Sequence, residues 1–160
     1  MQEGSDYCNS VLFRLPVNLI QRLQSVQNAV ARLIFRIRRS EHITPALVSL
    51  HWLRVPERIT FKLAVMTYRS IHGTSPSYLQ SRFTRVSDMT SRRRLRYSAS
   101  HRLDVPLVRL STVGKRAFPV SGATVWNDLP LHVASVLSLA VFRQRLKTFL
   151  FSLSYQDTII

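Results

Sequence analysis

Apolar positions along the 160-residue chain recur at helical rather than strand spacing over most of its length. The clearest run is Leu19, Leu23, Val26, Val30, Leu33 and Ile37, at steps of 4, 3, 4, 3 and 4, which predicts an amphipathic helix burying that stripe. Pro16 can open it, because proline fits a first turn whose N–H needs no partner. Thr44-Pro45 predicts a second, short helix through Leu47, Leu50 and Trp52. Val55-Pro56-Glu57 starts a third, carrying Ile59, Phe61, Leu63, Val65, Met66 and Tyr68 and stopped by Gly73. Apolar on most sides, this helix reads as core, and its aromatic and methionine positions as packing rather than a binding box.

Ser75-Pro76 predicts a further turn of helix ending near Phe83. The pattern then lapses: between Thr84 and Arg102 five of nineteen residues are apolar, and the rest is mostly Ser, Thr and Arg. That composition predicts a mobile segment. Alternation of Leu95, Tyr97 and Ala99, and of Leu103, Val105 and Leu107, admits one short β-hairpin, with Pro106 restricting its second strand to an edge. Past Gly114, a helical step returns at Phe118, Gly122, Val125 and Leu129, weakened by Pro119 and Gly122, and Asp128-Leu129-Pro130 stops it. Trp126 reads as a packing anchor. Ser138 introduces a last helix with Leu139, Phe142, Leu146, Phe149 and Leu150 inside and Arg143, Arg145 and Lys147 outside. The expected fold is mainly α: a helical segment over 1–83, a basic linker or hairpin over 84–110, and a small helical segment over 111–160.

Charge changes this picture most. The chain has 23 Lys and Arg against 8 Asp and Glu, a formal net charge of +15. Only Lys62, Lys115 and Lys147 are lysines, so arginine, whose planar fork pairs bidentately with phosphate and stacks on bases, dominates. Residues 14–39 hold six arginines and no acid; residues 82–116 hold ten basic residues against Asp88 and Asp104; the remainder is close to neutral. On the first helix Arg22, Arg32, Arg36 and Arg39 fall in an arc of roughly 100° beside the apolar stripe. A solvated face and a face laid along a nucleic-acid backbone both fit. The lack of any acidic i,i+4 partner favours the second. Arg92-Arg93-Arg94-Leu95-Arg96-Tyr97 sets four guanidinium groups beside an aromatic, a combination that grips phosphates and stacks on a base. A nuclear-import signal or a solubilising loop remains the plainer reading of so short a run. Arg102 completes the candidate set: Arg22, Arg32, Arg36, Arg39, Arg92, Arg93, Arg94, Arg96, Tyr97 and Arg102.

Catalytic chemistry is not visible. Cys8, the single cysteine, cannot form an internal disulfide, and no zinc or redox pair exists. Histidines 42, 51, 72, 101 and 132 lack metal-ligand spacing, no two acids are adjacent, and no phosphate-binding glycine loop occurs. No apolar run approaches the roughly 18 residues of a membrane span. With no secretory signal in the opening residues, an intracellular location, nuclear or cytoplasmic, is expected. No cofactor and no membrane partner are expected, and the chain alone is not expected to be an enzyme. Its abrupt entry into patterned sequence suggests the end of something larger.

An ordered set of short motifs points further. Asp6-Tyr7-Cys8-Asn9-Ser10, Leu15-Pro16, Leu23-Gln24, Val26-Gln27-Asn28-Ala29, His42-Ile43-Thr44-Pro45 and Leu50-His51-Trp52-Leu53 open the series. Ser75-Pro76-Ser77-Tyr78-Leu79, Arg116-Ala117-Phe118 and Trp126-Asn127-Asp128-Leu129-Pro130 follow, with Phe142-Arg143 and Leu146-Lys147-Thr148 closing it. From about residue 6 to 151 the chain resembles the C-terminal region of reverse transcriptases of non-LTR, LINE-type retrotransposons. That family's paired-aspartate palm has no counterpart in the sequence. The resemblance therefore implies a thumb-like or post-thumb segment that holds RNA or an RNA–DNA hybrid next to an upstream polymerase core. Alternatives are a structural segment that packs on such a core, or a relic of a degenerate element.

Overall fold

The computed structural model describes residues 12–89, 101–110 and 113–156, and among these the chain is helical. The principal elements are α1 (Val17–Phe35), α2 (Thr44–Ser49), α3 (Val55–Ile71), α4 (Ser77–Gln80), α5 (Phe118–Asn127), α6 (Leu131–Ala134) and α7 (Leu139–Ser154), with 3₁₀ turns at Val86–Asp88 and Gly114–Arg116. No strand forms among the described residues. Where a hairpin was expected there is one antiparallel bridge, Arg85 to Leu103. It pairs Leu103 with the segment leaving α4, where Val86 N–H donates to Arg102 O (3.0 Å) and Asp104 N–H to Thr84 O (2.9 Å). Residues 95–99, the other half of the alternation, lie outside the described residues.

The core is built where α3, α5 and α7 meet. Leu63 and Ala64 of α3, Ala123 and Trp126 of α5, and Phe142 and Leu146 of α7 are buried together. Tyr68 stacks on Phe142 with ring centroids 4.4 Å apart. Trp126 lies 5.9 Å from Phe142 and 6.3 Å from Tyr68, so one aromatic from each helix forms the centre. Each such ring removes a large apolar area from water, about 1.5–3 kcal/mol apiece. The close approach of α3 and α5 requires Gly122: a Cβ there would meet Thr67 Oγ1 at 2.6 Å and Phe83 Cζ at 2.8 Å. In the sequence Pro119 and Gly122 weaken the helical pattern here. Pro119 instead lies in its first turn, where proline is favoured, and Gly122 is the contact.

Helix α1 differs from its expectation. The stripe expected to be buried is exposed: Val26 keeps 64 % of its surface, Leu33 79 %, and Leu19, Leu23 and Val30 are exposed as well. The covered line is Ile20, Gln24, Gln27 and Ala31, of which Gln27 and Ala31 are buried. It has the same 4, 3, 4 spacing, rotated by about 100°. Hydrogen bonding explains the choice. Gln27 Nε2 donates to Leu53 O (2.8 Å), and Val55 N–H donates to Gln24 Oε1 (2.9 Å). Val55 is the first residue of α3, which has no side-chain cap of its own, so Gln24 supplies the acceptor that its orphan N–H needs. Ala31 packs in a second, smaller cluster with Leu47 and Tyr155, the latter at the end of α7.

Candidate nucleic-acid interface

Helix α1 ends at Phe35, before the arginine arc is complete. Arg36 takes a left-handed conformation (φ 53°) as C-cap, its N–H donating to Arg32 O. Arg39 lies in the turn beyond, so neither residue holds the helical position from which the arc was constructed. Arg32 is itself engaged: its Nη1 donates to the carbonyls of Arg38 (2.6 Å) and Glu41 (3.0 Å), tying the turn to the helix. The same fold nonetheless brings Arg32, Arg36 and Arg39 to one shallow groove of about 910 Å³, whose other walls include Ser25, Asn28 and Leu33. Arg22 does not share it. Ten residues earlier on the helix, it is exposed about 15 Å along the axis.

Arg102 is exposed and belongs to a different neighbourhood. Its flanking backbone is pinned to the end of α5. Trp126 Nε1 donates to His101 O (2.7 Å), while the Asn127 amide accepts from Leu103 N–H and donates to Leu103 O, both at 2.9 Å. Asn127 thus gives Leu103 the two bonds a neighbouring strand would give. Together with the Arg85–Leu103 bridge, this fixes the chain on either side of the Arg/Ser segment. Arg92, Arg93, Arg94, Arg96 and Tyr97 lie outside the described residues, as does most of the stretch read as mobile.

A second cationic site was not anticipated. Between α3 and α7 lies a cleft of about 400 Å³, whose charged lining is Arg58, Lys62, Arg69, Arg143 and Lys147, with no acid among the described residues that line it. Its apolar lining is Trp52, Leu53, Phe61, Val65 and Met66. Arg58, Lys62 and Arg69 fall within about 40° of one line along α3, and Arg143 and Lys147 stand one turn apart on α7. Arg58, Arg143 and Lys147 are exposed. Seven cations lie outside the two basic blocks, and five of them converge here. The signal was present as i,i+4 pairs, 58/62 and 143/147. Block counting dilutes it, because the acids that neutralise those stretches in sequence do not line the cleft.

Trp52, which lines this cleft, packs against the second cluster. Tyr155 Oη donates to Trp52 O (2.6 Å), and the Arg54 guanidinium lies over the Tyr155 ring at 5.2 Å. Burial pushes the Tyr155 phenol above its ordinary value; the Arg54 charge opposes this and Glu57 adds to it. Burial likewise raises Tyr68 in the core.

Neither family models, nor curated proteins, nor solved structures give a match to this chain. Among the described residues no three or more His, Cys, Asp or Glu side chains are grouped so as to hold a metal ion. Nor is any helix among them long and apolar enough to cross a membrane. What the two clefts can do is bind anions: each presents several guanidinium or ammonium groups, and neither has a carboxylate among the described residues that line it.

Proposed function

We propose that this chain is a non-catalytic nucleic-acid-binding segment of the kind that follows the palm in non-LTR retrotransposon reverse transcriptases. The observation that carries the reading is the one-signed lining of two separate surface clefts, by Arg32, Arg36 and Arg39 in one and by five cations in the other. Such surfaces neutralise phosphates and release counterions, a sequence-independent source of affinity. The ordered motifs shared with that family support the same reading, and they carry no polymerase chemistry. RNA or an RNA–DNA hybrid is the partner, held by phosphate contacts beside an upstream polymerase core. The test is binding of several unrelated RNA and hybrid sequences by the intact chain and by a variant in which Arg36, Arg39, Arg58 and Arg143, exposed residues of the two clefts, are replaced by alanine. Affinity is expected to fall alike for all sequences. Sequence-selective loss, or none, counts against it.

A second reading is favoured by the exposed Leu19–Leu33 stripe of α1: a structural segment whose apolar face packs on the polymerase core. Co-expression with an upstream polymerase would then raise solubility sharply, while arginine substitutions would leave nucleic-acid affinity unchanged.

A further inference from the structure

Resting on the nucleic-acid reading above, we infer that the cleft between α3 and α7 is a single-strand site: it takes an unpaired nucleotide, base inward, with its flanking phosphates on the cationic rim. Phosphate affinity alone needs only charge, and the groove around Arg36 supplies that. This cleft differs in adding an apolar, partly aromatic lining from Trp52, Phe61, Val65 and Met66. A duplex keeps its bases stacked and paired and presents only phosphates and sugars at such a rim, so the apolar lining would be wasted on it. An unpaired base, by contrast, has a free π-face to lay on an aromatic side chain.

The cleft's dimensions agree. About 400 Å³ falls in the range of sites that enclose small ligands, about 300–1,000 Å³. Cations stand on both walls, Arg58 and Lys62 on α3 and Arg143 and Lys147 on α7. Within each pair the rise is about 6 Å, close to the spacing of successive phosphates in an extended strand. The two walls are packed together through the stacked Tyr68 and Phe142 rings. The backbone of Trp52 is held by the bond from Tyr155 to its carbonyl. An acidic peptide could meet the same cations, but carboxylates on a peptide give no flat apolar face to the lining.

The test uses the intact chain and four probes: a 12-nucleotide RNA, its duplex, the same strand with abasic sites, and a polyglutamate peptide. The variants are Arg58→Ala/Arg143→Ala/Lys147→Ala, all exposed positions whose replacement leaves the core intact, and, independently, Trp52→Phe and Trp52→Ala. The wild-type chain is expected to prefer the single strand to its abasic counterpart about 5-fold or more, the worth of one stacked base. The triple variant is expected to lose about two units of the single-strand salt slope, roughly 0.7 per phosphate contact, and with it the preference over duplex. Trp52→Ala should erase the base-dependent difference and Trp52→Phe keep it. If the triple variant binds single-stranded RNA like the wild type while RNA binding itself is intact, the cleft assignment is wrong and the nucleic-acid reading stands. An unchanged affinity for the abasic strand also overturns it, as does polyglutamate bound better than RNA. Should the wild-type chain bind no RNA at all, both readings fail together.

Discussion

Helices α1 and α7 carry equally regular apolar stripes, and the fold treats them in opposite ways. On α7, Phe142, Leu146 and Leu150 are buried against α3 and α5. On α1, Leu23, Val26, Val30 and Leu33 face outward, and the covered side is a line of glutamines and alanine. The period of a sequence thus identifies a helix without saying which face its own domain covers. For α7 the apolar stripe coincides with the packing face. For α1 two stripes of the same period run side by side, and hydrogen bonds to Leu53 and Val55 select the polar one. A buried acceptor or donor left unmet costs about 1–3 kcal/mol, and these bonds satisfy Leu53 O and the Val55 N–H, although Gln27 Oε1 itself stays buried without a partner among the described residues.

The sharpest way to break this contrast is a pair of truncations followed by chemical denaturation. Phe142→Ala removes a fully buried ring at the centre of the aromatic group and is expected to cost about 3–5 kcal/mol. Leu33→Ala on α1, 79 % exposed, is expected to change stability by no more than about 0.5 kcal/mol. Equal costs would mean that α1's stripe is covered after all.

Next in size is Gly122→Ala. The added methyl must displace Thr67 or Phe83, an overpacking penalty of about 1–3 kcal/mol. On helix propensity alone, the same change would stabilise α5 by up to about 1 kcal/mol. The sign of the measured shift therefore decides which effect governs. Asn127→Ala should cost about 1–3 kcal/mol by stripping Leu103 of both bonds. Hydrogen exchange would show the loss first around residues 101–104.

The smallest effect lies in alkaline pH. Tyr68 and Tyr155 have phenols raised by burial, so the folded state holds their protons more tightly than the unfolded chain does. Their contribution is intact below the ordinary tyrosine value near 10 and is lost as pH rises above it, because the unfolded state then binds fewer protons. Tyr68 Oη is buried and has no hydrogen-bond partner among the described residues, so Tyr68→Phe should leave neutral-pH stability nearly unchanged and flatten the alkaline decline. A decline of the same steepness would place its cause elsewhere.

Much of the fold could be read from punctuation and period. Pro16, Val55-Pro56-Glu57, Gly73, Asp128-Leu129-Pro130 and Ser138 mark the ends of α1, α3, α5 and α7 closely, because proline and glycine act through local backbone geometry. Tertiary choices were less legible. Nothing local distinguishes Gln24 and Gln27 from surface residues until Leu53 and Val55 are placed opposite them. The four-residue α6 gives too short a pattern to register. The candidate site divides in the same way. Arg32, Arg36 and Arg39 are close in sequence and share a groove; Arg58 and Arg143 are 85 residues apart, and only the packing of α3 on α7 joins them. Charge blocks find sites made within one segment, and this cleft is made between two.

If phosphates are what these cations meet, the affinity of the intact chain for a 12-nucleotide RNA falls steeply between about 50 and 300 mM salt. With about five phosphates neutralised, log K against log salt should fall with a slope near −3.5 for a single strand. A slope near zero, or binding absent even at the lowest salt, would mean that these cations do not meet phosphates.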